Sequence, residues 1–184
     1  MEAPGEVGKS RTPTLRGLPV RTFFNSCFEA HGVSAIGGRR KNEDSFHASE
    51  RLLVVADGMG GHEAGKEASQ TVTDTMASHE PRLFEKAEAI PRKLEEAVQA
   101  AHAALRRKQP EKKMLRGMGS TVAAVALSQN GKLHIAHVGD SRVYLLRNNE
   151  LVQLTRDHNV GQDLRDMGEP EEKAARLDHI LTRS

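Results

Sequence analysis

"LLVVADGMGGHEAGKEAS", residues 52–69, is the stretch on which the fold turns. It opens with a continuous apolar run, the pattern of a strand buried on both faces. It closes with Ala64 and Ala68 at helical spacing, a period continued by Val72 and Met76. The acidic residues near the start of that helix suit its dipole, and Pro81 is expected to end it. Between strand and helix stand Asp57 and a cluster of glycines at 58, 60, 61 and 65. An aspartate where a buried strand emerges is held in place by the sheet. Glycines beside it let backbone carbonyls and a small ligand, a metal ion or a phosphate, come close.

"CFEAHGVSAIG" (27–37) and "RLLVVAD" (51–57) read as strands. "AIPRKLEEAVQAAHAALRRKQ" (89–109) reads as a second helix, with Pro91 in its first turn, Leu94, Val98, Ala101 and Leu105 along one stripe, and basic residues at its end. "GSTVAAVALS", "KLHIAHVG", "SRVYLLRN" and "ELVQLT" then read as short strands separated by "QNGK", "GD" and "NN", which are hairpin signals. Strands, two helices and a meander of antiparallel strands predict a layered α+β domain over residues 27–184. Residues 1–26, rich in Pro, Gly and Arg without a sustained period, read as a flexible leader outside it.

The chain has 184 residues, a net charge of +2, 37% hydrophobic and 28% charged residues, the profile of one globular domain. Aromatic residues make up only 3%, so the core falls to Val, Leu, Ile, Ala and Met. The basic cluster "RRKQPEKKMLR" (106–116) carries no interleaved aromatics and reads as a solvated loop rather than a nucleic-acid contact. Cys27 is the single cysteine and cannot form an internal disulfide, which fits a reducing compartment. No apolar run approaches the roughly 18 residues of a membrane span, and no secretory signal opens the chain. The expectation is a cytoplasmic protein with no membrane and no nucleic-acid partner.

Glu43 and Asp44, in "GGRRKNEDSF", lie on the approach to the strand that carries Asp57. Hairpin pairing of the two segments would gather three carboxylates at one place. Hard oxygen donors without Cys suit Mg²⁺ or Mn²⁺, and two such ions about 3.5–4 Å apart can activate a water for attack on phosphorus. Arg39 offers a bidentate fork to phosphate oxygens. Taken alone, "NED" is also a common solvated turn and "DG" a common loop, and the Asp of "GDSR" (139–142) is also an ordinary turn residue. His134 and His137 on one strand suggest packing more than zinc, which needs a third ligand near by. Ser34 and Ser120 lack the GxSxG setting of a serine nucleophile. His158 in "TRDHN" reads as a residue that caps or orients the next segment.

In order and spacing, "GVSAIGGRRKNEDS", "LLVVADGMGGHEAGKEAS", "GMGSTVAAVAL", "LHIAHVGDSRVYLLRNNELVQLTRDHN" and "HILTRS" resemble the bacterial PPM (type 2C) metal-dependent serine/threonine protein phosphatases, from about residue 28 onward. The resemblance implies two antiparallel sheets packed as a sandwich with helices on both outer faces. It implies hydrolysis of phosphoserine and phosphothreonine on proteins, the targets of a bacterial serine/threonine kinase, with two Mn²⁺ or Mg²⁺ ions and a third, weaker one. Carried over, Asp57 is the carboxylate bridging the metals and Gly58 gives one of them a backbone carbonyl. Glu43 and Asp44 match the acidic pair around the metal waters, Arg39 the clamp on the substrate phosphate, and Asp140 the ligand of the third metal. His62 stands near the place where some members carry a histidine directly after "DG", although Met59 occupies that place here.

Family members also carry two later aspartates, in an "SDG" segment and a "DN" pair, and neither string occurs in this sequence. That departure predicts a domain lacking its final strands and a metal short of protein ligands. It also leaves a second reading open, a catalytically impaired module that binds metal or phosphoprotein without turnover.

Overall fold

A computed structural model describes residues 20–22, 28–38, 40–61, 63–111 and 115–184. Cys27, Arg39, His62 and most of the stretch read as a leader fall outside these residues. Strand β1 (Val20–Thr22) lies within that stretch and pairs antiparallel with β2 (Phe28–Ala30), so at least three of its residues belong to a sheet.

The central sheet is built from β3 (Asp44–Ala48), β4 (Leu52–Met59), β6 (Val122–Leu127) and β7 (Leu133–Val138), hydrogen-bonded in that order. Short β5 (Gly119–Ser120) extends the β4 edge of β6. Helices α1 (Glu63–Leu83) and α2 (Ile90–Lys108) pack on each other and cover one face of this sheet. The core lies between: Leu52, Val54 and Ala56 from β4, Ala68, Val72 and Met76 from α1, Leu94, Ala101 and Leu105 from α2, and Ala124 and Ala126 from β6. Small alanines on β6 let the helices sit close. Both predicted helical stripes therefore face the sheet, as period 3.6 requires.

The structure corrects four details of the sequence reading. Strand β4 alternates instead of being buried on both faces, with Val55 half exposed opposite the helices. Helix α1 runs through Pro81 to Leu83. The proline stands in the last turn, where it costs one helical hydrogen bond, and the burial of Leu83 holds the end down. Among the described residues of "CFEAHGVSAIG", only 28–30 form a strand. The "GD" after β7 is not a hairpin turn: among the described residues β8 (Tyr144–Arg147) pairs with β9 (Glu150–Gln153) and not with β7. The "NN" between β8 and β9 does turn a hairpin, with Asn148 and Asn149 at φ 53° and 63°. Two helices without a sequence expectation follow, α3 (Val160–Asp166), capped by the Asn159 side chain on the Gln162 N–H, and α4 (Glu171–Ala175), which packs on it.

A candidate metal and phosphate site at the end of strand β4

The β3–β4 hairpin fixes the acidic cluster. Its register sets Asp44 directly opposite Asp57, both on the sheet face turned away from α1 and α2. Cβ atoms of opposed residues lie about 4.5–5.5 Å apart, and like charges so placed repel. Such a pair calls for a counter-charge, and two carboxylates with hard oxygens suit a divalent cation. Asn42 starts the strand, its side-chain oxygen accepting the Asp44 N–H at 2.9 Å. The "NED" turn is thus an Asx turn that delivers Asp44 into β3.

Glu43 enters from beside the pair. Its backbone carbonyl accepts the Gly58 N–H at 3.3 Å and the Ser69 hydroxyl at 2.5 Å, so α1 and β4 both grip it. A Cβ on Gly65 would come within 2.1 Å of the Glu43 carboxylate, and one on Gly58 within 1.8 Å of the Gly65 carbonyl. The glycines therefore let the first turn of α1 close on the end of β4 with Glu43 between them. Lys66, one residue on, donates to the Asp44 carbonyl at 2.9 Å and to Ser45 Oγ at 3.1 Å.

Asp57 is held through its backbone. Its N–H donates to Thr121 Oγ1 and its carbonyl accepts the Thr121 N–H, each at 2.9 Å, while Ser120 Oγ donates to the same carbonyl at 3.1 Å. A cavity of about 250 Å³ opens against Glu43, Asp44 and Asp57, with Lys41, Asn42 and residues 35–38 as its other walls. Next to it, sharing Ile36, Lys41 and Asn42, runs a wider cleft of about 660 Å³ that carries Arg40 and Lys66 beside Glu63 and Glu67.

Three of the acidic residues singled out in the sequence are thus gathered at one cavity. Asp140 is not among its walls and stands on the turn after β7. Among the described residues no three His, Cys, Asp or Glu side chains converge as a ready metal cage. His134 and His137 point to opposite faces of β7, so they form no paired site. His137 instead meets His158, ring centroids 4.8 Å apart. His158 orients the preceding turn more than the following helix: its Nδ1 accepts the Gly139 N–H at 3.2 Å, and its own N–H donates to the Gly139 carbonyl at 2.8 Å.

Two contributors to this end of the sheet carry no signal in the linear sequence, Thr121 and the Arg142–Asp157 pair. Asp157 is 1% exposed and accepts two bonds from Arg142 Nε at 2.9 Å and one from Nη2 at 2.5 Å. This fork raises the pKa of the Arg142 guanidinium and ties the "GDSR" turn to the segment that holds His158. Only the pairing shows that 142 and 157 meet.

The chain matches the family model described as protein phosphatase 2C over residues 21–164. It is 43% identical over 136 residues to the serine/threonine protein phosphatase PstP of Mycobacterium tuberculosis, a match covering 73% of this chain and 26% of that protein. It is 36% identical over 135 residues to the serine/threonine phosphatase stp of Listeria monocytogenes, covering 72% of this chain and 52% of that one. The chain thus spans about a quarter to a half of these curated relatives. Among solved structures, the catalytic domain of PstP in complex with two manganese ions aligns with a TM-score of 0.68 at 34% identity, covering 91% of this chain and 68% of that one. A likeness of this extent gives the chain the α+β sandwich fold expected from its sequence.

Proposed function

This chain belongs to the protein phosphatase 2C family, and from that premise we propose that it hydrolyses phosphoserine and phosphothreonine on proteins with the help of Mn²⁺ or Mg²⁺. One observation carries the reading: Asp44 and Asp57 face each other across the β3–β4 register at a cavity that also receives Glu43. Carboxylate oxygens of this kind suit a hard divalent ion such as Mn²⁺ or Mg²⁺ rather than a soft one. We assign two ions to Asp57, Glu43, Asp44 and Gly58, and a third, weaker one to Asp140. Bound divalent metal supplies one piece of chemistry, the deprotonation of a water near neutral pH for attack on phosphorus.

The chain's own groups do the rest. Asp57 is anchored on both sides of its peptide by Thr121, so its carboxylate has a fixed origin at the end of β4. Glu43 is pinned through its carbonyl by Gly58 and Ser69, which turns its side chain toward α1 and the cavity. Arg39, outside the described residues, is assigned to the substrate phosphate, for which a guanidinium offers two parallel donors. Attack forms the new oxygen–phosphorus bond and breaks the bond to the serine or threonine oxygen, which leaves with a proton. The wider cleft sets Arg40, Lys41 and Lys66 beside Glu63 and Glu67, a mixed-charge surface on which a phosphorylated segment can lay its phosphate against the cations.

We place the protein in the cytoplasm, opposite a bacterial serine/threonine kinase whose products it reverses. The lone cysteine supports this, and no helix among the described residues is long and apolar enough to cross a membrane. Phosphate release from a phosphoserine peptide, measured with Mn²⁺ and again with EDTA, tests the reaction. Release with the metal and none with the chelator is expected; equal release in both would refute it.

A further inference from the structure

We infer that Thr121 is a positioning residue that locks Asp57 to the turn bearing Asp140, joining the two separated parts of the candidate centre; the inference deepens the phosphatase reading above and rests on it. Thr121 lies between β5 and β6 and is 1% exposed. The register of β4 with its neighbours, Gly58 with Ser120 and Val55 with Ala123, sets Thr121 opposite Asp57. A hydrogen-bonded antiparallel pair ordinarily exchanges two backbone N–H···O bonds. Here only one is of that kind, Thr121 N–H to the Asp57 carbonyl. The other runs from the Asp57 N–H to the threonine hydroxyl at 2.9 Å. The Thr121 carbonyl accepts the Ser120 hydroxyl instead, at 2.9 Å.

The Thr121 hydroxyl also bonds Ser141 Oγ at 2.6 Å. The threonine methyl fills the space beneath Gly139, where a Cβ would come within 2.6 Å of it and where φ is +102°. Thr121 therefore touches the residue on each side of Asp140 while it holds the peptide of Asp57. A hydroxyl with one proton and two lone pairs can serve both partners at once. Valine has the same shape and can serve neither.

The test compares Thr121→Val, Thr121→Ser and Ser141→Ala with the parent chain by residue-resolved amide exchange and by calorimetric Mn²⁺ titration. Thr121→Val should speed exchange of the Asp57 amide and weaken Mn²⁺ binding by about tenfold or more, the usual cost of losing a partner behind a metal ligand. Thr121→Ser should restore both, which a merely structural role of the buried methyl does not predict. Ser141→Ala should weaken Mn²⁺ binding and leave the Asp57 amide protected, because only the bond to the turn is removed. Parent-like exchange and affinity in Thr121→Val would overturn the inference. A parent chain that binds no Mn²⁺ would sink the phosphatase reading instead, and amide exchange would still decide whether Thr121 couples the two segments.

Discussion

At Gly58 the missing side chain is what allows Glu43 and the first turn of α1 to share one end of β4. A methyl group there meets the Gly65 carbonyl at 1.8 Å and its carbon at 2.5 Å, which is backbone that cannot rotate away. Gly38, which lines the cavity, has open space around its missing Cβ and no positive φ. Gly58→Ala is therefore expected to lower stability by about 1–3 kcal/mol, the range for overpacking, with a fall in melting temperature. Gly38→Ala should melt like the parent. Thermal unfolding of both variants checks the contrast, and equal melts would remove the close approach from the account. The sequence displays the glycines but not their partners. That Gly65 lies over Gly58, and Glu43 between them, depends on the direction in which α1 leaves β4.

The turn after β7 shows what a strand-by-strand reading leaves out. "GD" between two β-patterned segments looks like a hairpin, yet the chain leaves the central sheet there and β8 pairs with β9. The diversion is held by bonds from residues far along the chain: Thr121 to Ser141, His158 to Gly139 and Arg142 to Asp157. Helix and strand periods were readable because each is local, whereas these pairings span from 15 to 20 positions and have no period. His158 gives the turn a pH dependence. Burial is the main cause of its lowered pKa, aided by Arg183 and Arg156 and opposed by Asp163 and Asp157. His137, whose ring lies tilted against it, is lowered for the same first reason, with His158 adding to the shift and Asp157, Ser141 and Asp140 opposing it. Each imidazole binds its proton less readily folded than unfolded. Their contribution is thus complete above the unfolded value of about 6.5 and is lost as pH falls toward the folded one. Melts of the metal-free protein from pH 8 to pH 5 should show stability dropping below about pH 6.5, and His158→Gln should flatten part of that drop. A profile level across the range would contradict it.

For the molecule as a whole, the α+β layering and the family follow from five segments standing in one order, a pattern that individual residues do not carry. Helices α1 and α2 lie on one face of the central sheet, Asp44 and Asp57 face each other on the other, and Glu43 reaches the cavity from the α1 side. The candidate site was legible in part. Glu43, Asp44 and Asp57 gather where their spacing implied, because a hairpin converts sequence separation into register. Asp140 could not be placed from spacing, since its position depends on where β7 lies in the sheet and on the contacts that carry the chain out of it.

Asp57 is proposed as the shared ligand of a divalent metal centre. Calorimetric titration of Mn²⁺ into the parent chain, Asp57→Asn and Asp140→Asn addresses it most directly. Binding by the parent, no measurable binding by Asp57→Asn, and binding that is weakened but retained by Asp140→Asn are the expected results. Parent-like affinity in Asp57→Asn, or a greater loss in Asp140→Asn, would contradict it.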